Sequence, residues 1–282
     1  MTQVAVLGSG LMGRGIAHVA AFSGFEVKLF DVRVEALEQA KKDIIKNLEK
    51  GMEKGKVTAN DRDACLKRLA LETNLKGAVS QADLIIEAVP EALALKKSLF
   101  QEIDCHVEKK PIFASNTSSL SIASIAESVR RPSDFVGMHF FNPPHLMTLL
   151  EIVVTDQTSQ TTLARVKEIG LQMKRDMIVV KDRPGFATSR LGVLIGLEAI
   201  RMLEEGVASA EDIDRAMELG YKHPMGPLRL TDLVGLDTRL GIAEYLAKEI
   251  GPRFEPPRLL REMVLQGKLG KKSGEGFYRY SP

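Results

Sequence analysis

The sequence predicts an α/β chain in which a mostly parallel sheet domain is followed by a smaller, all-helical one. Three observations carry this. Up to residue 183, short β-rich runs alternate with longer helical patterns, as strands joined by crossover helices do. A glycine-rich turn, GSGLMG at 8–13, follows directly on the first of those runs. After KDRPG (181–185) the strand signal almost disappears, and Gly and Pro punctuate helical segments to the end. The expected division is therefore 1–183 and 184–282.

Seven runs read as strands: QVAVLG, FEVKLFD, ADLIIEAV, PIFASN, DFVGMHF, LLEIVV and MIVVKD. Each is β-branched or aromatic-rich and bounded by turn residues. The last two follow closely on one another and are expected to join the sheet antiparallel. Helices are expected at Leu11–Phe22, Glu35–Lys56 and Ala92–Val107, with Ser121 capping a short one through Glu127. Beyond residue 183 helical spacing predicts Thr188–Glu204, Ser209–Gly220, Leu228–Leu233, Thr238–Ile250 and Pro257–Gln266. Apolar positions there, such as Ala199 and Leu203, suit a core or a subunit interface.

Composition narrows the function. The chain has 282 residues, 44% hydrophobic and 27% charged, as soluble globular proteins do. Its 39 basic and 37 acidic residues leave a net charge of +2, which argues against a nucleic-acid binder working through a broad basic field. Cys65 and Cys105 lie far apart, so neither a disulfide framework nor a metal site is expected. No apolar run is long enough to span a bilayer. No basic, apolar leader precedes Val4–Leu7, and a cytoplasmic protein is expected.

The turn supplies Gly8, Gly10 and Gly13 in a G-x-G-x-x-G pattern, with Ser9, Leu11 and Met12 between them. Such a pattern alone is weak, but here it follows a strand, opens an apolar helix, and precedes a second strand ending in Asp31. That is the setting of a Rossmann-type dinucleotide site. The helix N-terminus offers N–H groups and partial positive charge to phosphates. Asp31 can accept from a ribose diol and repels a 2′-phosphate, so NAD is expected over NADP, with Arg33 softening the preference.

Residues 138–152, MHFFNPPHLMTLLEI, raise the second candidate. Alone, a histidine on an apolar run is ordinary core filler. A hairpin turning near His145 changes this, because paired positions sum to a constant and His139 then faces Glu151. A carboxylate beside an imidazole fixes its tautomer and stabilises the imidazolium. His145 is a weaker candidate, and His18, His106 and His223 read as structural or exposed. SNTSSL (115–120) closes another parallel strand and suits either a polar ligand or helix capping.

Taken together, the motifs resemble the L-3-hydroxyacyl-CoA dehydrogenases, most of all the short bacterial 3-hydroxybutyryl-CoA dehydrogenases. The matching stretches are GSGLMGRGIA, LIIEAVPE, FASNTSSL, GMHFFNPP with LLEIV, KDRPGF, HPMGPLRLTDLVGLD and LGKKSGEGFYRY, in family order from end to end. The resemblance implies a dinucleotide-binding domain followed by a helical domain that builds a homodimer. It implies His139 as catalytic base, Glu151 as its partner, and Ser118 touching substrate and cofactor. Asn142 would lie near the nicotinamide, Glu91, Lys96 and Lys272 would contact the cofactor, and Lys54 would contact coenzyme A. The chain departs from the family's PGFxxNR pattern: in PGFATSR, Ser189 stands where an active-site asparagine is expected, which bears on substrate positioning.

The implied reaction is reversible oxidation of an L-3-hydroxyacyl-CoA, with a short chain expected and an adipyl chain as the alternative. Competing expectations are a related hydroxyacid or sugar-acid dehydrogenase acting on a free acid, and a non-catalytic NAD(H)-binding sensor or structural protein. The His139, Glu151 and Ser118 set speaks against both.

Overall fold

The computed structural model describes residues 2–280, which fall into two compact units divided between Asp182 and Arg183. The first begins β1 (Gln3–Leu7), α1 (Leu11–Phe22), β2 (Glu26–Phe30), α2 (Val34–Glu53), α3 (Ala59–Lys67), β3 (Leu69–Glu72) and α4 (Leu75–Val79). It continues β4 (Leu84–Glu87), α5 (Leu93–His106), β5 (Ile112–Ser115), α6 (Ile122–Ala126), β6 (Phe135–Phe140), β7 (Leu149–Val154), α7 (Gln160–Gln172) and β8 (Asp176–Lys181).

These strands form one eight-stranded sheet in the order β3-β2-β1-β4-β5-β6-β7-β8. The first six are parallel. The order reverses between β1 and β4, and such a switch point opens a crevice at the carboxyl ends of the strands. β1 and β4 are buried almost throughout, as parallel strands covered on both faces must be. Ile16, Val19 and Ala20 of α1 join Leu37, Ile44 and Leu48 of α2 in the core on one face. On the other, the rings of Phe100 and Phe135 meet edge-on at 4.7 Å.

The expectation for the last two strands needs correction. β7 does run antiparallel to β6, but β8 runs parallel to β7. A parallel neighbour needs a crossover, and α7, absent from the sequence reading, supplies it. Its N-cap is Ser159, whose hydroxyl accepts from Thr162 N–H. Ser121 caps α6 in the same way through Ser124 N–H, as expected.

The second unit is helical: α8 (Thr188–Glu204), α9 (Ala210–Gly220), α10 (Pro227–Val234), α11 (Leu236–Ile250) and α12 (Arg258–Leu265). Val193, Leu197 and Ile200 of α8 pack with Leu236, Ala243 and Leu246 of α11 at its centre. Asp232 ties the closing segment to this core by accepting from Phe277 N–H, Tyr278 N–H and the Tyr280 hydroxyl. Burial pushes its carboxyl up, and these donors oppose the shift without cancelling it. No helix among the described residues is long and apolar enough to cross a membrane.

Candidate active site

The turn after β1 is shaped by its glycines. Gly8 has φ +96°, and a Cβ there would stand 2.7 Å from the Ala88 carbonyl oxygen at the switch point. A Cβ on Gly13 would stand 1.7 Å from the Gly8 carbonyl oxygen, so only glycine lets α1 start this close to β1. At Gly10, the N-cap of α1, an added Cβ would meet nothing within 4 Å. Donors at the start of α1 therefore border open space, and the turn fits a dinucleotide pyrophosphate. Leu11 is exposed and Met12 half-buried beside it.

Asp31, just past β2, reaches back to this turn. Its Oδ2 accepts from Ser9 N–H at 2.9 Å and from the Ser9 hydroxyl at 2.7 Å, and its Oδ1 from Arg33 N–H at 3.1 Å. Burial pulls the carboxyl up, but the Ser9 bonds, the Arg33 bond and the Arg33 charge outweigh it and hold Asp31 below the usual carboxylate range. A charged acid thus stands where a ribose diol would be read.

The hairpin places the second pair. His139 lies opposite Glu151 in the antiparallel register, and Nδ1 is 2.9 Å from Oε2. Glu151 is fully buried and His139 is 8% exposed. A carboxylate only accepts, so Nδ1 carries the hydrogen, and Nε2 is left as the basic nitrogen. The Phe141 ring packs 4.4 Å from the imidazole. Asn142 is exposed in the following loop.

Beside the hairpin, the segment after β5 is tied down by Glu91 and by Glu87 and Asn116, two groups the sequence reading passed over. Asn116 Oδ1 accepts from Phe140 N–H at 2.8 Å, next to His139. Glu91 Oε1 accepts from the Thr117 hydroxyl, from Ser118 N–H at 3.2 Å and from the Ser119 hydroxyl at 3.3 Å. Lys96 reaches Glu91 Oε2 at 3.2 Å but sits closer to Glu87 Oε1, at 2.6 Å. Glu87 Oε2 accepts from the Ser115 hydroxyl at 2.6 Å. Glu87 and Lys96 are both essentially unexposed. The signal for Glu87 was present, since a carboxylate ending the buried strand LIIE needs a partner as much as Glu151 does.

A cavity of about 490 Å³ lies in the same unit. Lys50, Lys54, Lys56, Lys174 and Arg175 give it a basic wall, and His18 and His145 line it. Lys54, expected at the end of the long basic helix, is the exposed C-cap of α2. Arg175 Nη1 donates to the Pro144 and Met147 carbonyls at 2.9 and 2.8 Å, which holds the hairpin loop in place. His18 is buried, not surface-exposed, and stacks on His145 with centroids 5.5 Å apart. Burial, helped by the His145 charge, pushes His18 down to about 4.

The remaining two expected residues belong to the second unit. Ser189 is half-buried in the first turn of α8. Lys272 is exposed, with Nζ 2.5 and 2.7 Å from the two Asp237 oxygens.

Comparison with known proteins agrees with this geometry. Residues 3–183 match the model of the 3-hydroxyacyl-CoA dehydrogenase NAD binding domain, and residues 185–280 that of the 3-hydroxyacyl-CoA dehydrogenase C-terminal domain. The chain is 43% identical to a 3-hydroxybutyryl-CoA dehydrogenase of Mycobacterium tuberculosis, covering 99% of this chain and 98% of that protein. It is 44% identical to the mitochondrial hydroxyacyl-coenzyme A dehydrogenase of Rattus norvegicus, covering 99% and 91%. The crystal structure of (S)-3-hydroxybutyryl-CoA dehydrogenase PaaH1 from Ralstonia eutropha superposes with a TM-score of 0.96 at 40% identity, over the whole of both chains. With both halves matched in order and near-complete relatives above 40% identity, the chain belongs to the 3-hydroxyacyl-CoA dehydrogenase family.

Proposed function

We infer that the chain reversibly oxidises a short-chain L-3-hydroxyacyl-CoA, such as 3-hydroxybutyryl-CoA, to the 3-ketoacyl-CoA with NAD. The observation that carries this is the His139–Glu151 pair, 2.9 Å apart on the sheet that also bears the dinucleotide turn.

Nicotinamide, when bound, accepts the hydride from C3 of the substrate. The protein moves the proton. His139 Nε2 takes it from the substrate hydroxyl, and Glu151 holds the ring through Nδ1–H and stabilises the imidazolium that results. In the reverse direction the imidazolium returns the proton to the ketone oxygen. In this reading Ser118, whose backbone N–H donates to Glu91, touches substrate and cofactor, and Asn142 lies near the nicotinamide. Glu91, Lys96 and Lys272 are the remaining cofactor contacts in this reading. Asp31 selects NAD over NADP by its charge.

The five cations of the unit-one cavity suit the phosphates of coenzyme A, and exposed Lys54 is the contact expected there. Ser189 positions substrate through a water or a small shift in place of an amide. A homodimer is supported by exposed Leu191 and Ile195, one turn apart on α8. The test is loss of absorbance at the NADH band with acetoacetyl-CoA. A flat trace alongside tight NADH binding favours a sensor, and activity on free 3-hydroxybutyrate but not its thioester favours a hydroxyacid dehydrogenase.

A further inference from the structure

His145 stands between two cavities of the first unit, of about 490 and 370 Å³, and lines both. Asn47 and Lys50 also line both, so the two hollows share a wall. The loop that carries the histidine is fixed on two sides. Pro144 lies so close to α1 that a Cβ on Gly15 would stand 2.6 Å from its ring. Arg175 Nη1 holds the carbonyls of Pro144 and Met147, on either side of His145. The imidazole is thus delivered to one place, half-buried and stacked on the ring of His18.

Its surroundings are basic. Lys50 of α2, the C-cap Lys54, Lys56 beyond it, and Lys174 and Arg175 after α7 line the larger cavity. Arg14 of α1 and Lys46 of α2 line the smaller. Asp43 of α2 is the one acid among the described residues lining either, and Arg14 pairs with it at 3.4 Å. An imidazole among cations stays neutral, because like charge and burial both disfavour the imidazolium. Burial holds His145 below the ordinary imidazole range, and His18 lies at about 4. His18 Nδ1 is also buried without a hydrogen-bond partner. A histidine kept for packing ordinarily has its buried nitrogen bonded. What this pair lacks is an anion that would let one ring take a charge.

We propose that His145 is a phosphate ligand of the coenzyme A thioester and binds it together with a proton. The proposal rests on the dehydrogenase reading above and adds a residue and a linked proton to its coenzyme A site. A phosphate entering the larger cavity reverses the local field, and the imidazolium donates to a phosphate oxygen in a charge-assisted bond. His18 stays neutral, since a second imidazolium with its centroid 5.5 Å away would be repelled. The proton comes from solvent and returns there when the thioester leaves. The imidazole pKa is lower in the empty protein than in the complex, so between the two values binding takes up a proton and tightens as pH falls. The lysines and arginines act in the opposite sense. They favour the dianion of a phosphate monoester, whose second pKa is about 6, and alone would give proton release.

The test is calorimetric binding of butyryl-CoA to the full chain, in two buffers of different ionisation enthalpy. This thioester lacks the 3-oxygen, which leaves His139 out of the proton count. At pH 6.5 the wild type is expected to take up about half a proton or more, and to bind roughly tenfold more tightly at pH 6 than at pH 8. His145→Phe keeps a flat ring against His18. It should show no uptake, with affinity reduced roughly tenfold at pH 6 and within threefold of wild type at pH 8. His145→Lys supplies a fixed cation and should bind tightly at both pH values, again without uptake. Either variant alone decides the case if the other does not fold. Proton release or no linkage in the wild type, or uptake that survives in His145→Phe, overturns the proposal while the thioester still binds. Butyryl-CoA binding no better than butyryl-pantetheine, which has no phosphates, overturns the coenzyme A reading of the cavity as well.

Discussion

His139 and Glu151 face each other across an antiparallel hairpin, twelve positions apart in sequence and 2.9 Å apart at Nδ1 and Oε2. Both are buried, so the contact is made out of water. Register rather than chance makes the contact, because a slip of one residue would turn one side chain to the opposite face of the sheet.

If His139 is the base, His139→Gln loses turnover by roughly a hundred- to ten-thousandfold, the usual worth of general acid–base help. NADH binding, read by fluorescence titration, should stay near the wild-type value because the dinucleotide turn is untouched. Near-normal kcat in this variant removes His139 from the role.

The hairpin was legible because register follows from counting, and the helices of the second unit because their apolar spacing is regular. α8 has the bounds expected of it, Thr188–Glu204. What escaped had weak patterns. α3 buries a single residue, Cys65, and is held at its start by a capping box between Thr58 and Asp61, so it has no apolar stripe to read. β3 is four residues at the sheet edge, with Leu69 its one buried position. Missing α7, whose inward positions include Thr162 and Gly170, led directly to the wrong direction for β8. At the site, residues that carry a motif were found, whereas Asn116 and Arg175, which hold the motif in place, bond to backbone 24 and 31 positions away and leave no local signature.

Lys96 offers a separable test, since its ammonium is buried against Glu87 and also touches Glu91. Lys96→Met leaves the Glu87 charge buried without its partner, a loss of about 3–5 kcal/mol by analogy with other broken buried pairs. Adding Glu87→Gln should recover most of it. Urea midpoints of the single and double variants give the comparison. A single variant as stable as wild type but weak in NADH binding would show instead that Lys96 acts mainly on the cofactor.

Asp31 should govern cofactor choice. Asp31→Ala removes the charge that opposes a 2′-phosphate and leaves Arg33 in place, so kcat/KM for NADPH relative to NADH should rise tenfold or more. Because Ser9 and Arg33 hold the Asp31 carboxyl below the usual carboxylate range, the wild-type preference for NADH should persist unchanged from pH 7 to pH 5. Loss of that preference in mild acid, or no change in the variant, speaks against Asp31 as the discriminating group.

His18 makes the fold acid-sensitive. Its pKa is about 4 in the folded protein against 6.5 for an unburied imidazole, because burial and the neighbouring His145 disfavour the charged ring. The folded value is the lower one, so below pH 6.5 the unfolded chain binds a proton that the native chain does not. Stability therefore falls with pH from about 6.5 to about 4 and levels off below. At pH 5 the loss from this group is about 2 kcal/mol, taking 1.36 kcal/mol per unit. His18→Leu, which keeps an apolar body of similar bulk, should lose about that much less stability between pH 7 and pH 5 in urea titrations. An equal loss in both proteins places the acid sensitivity elsewhere.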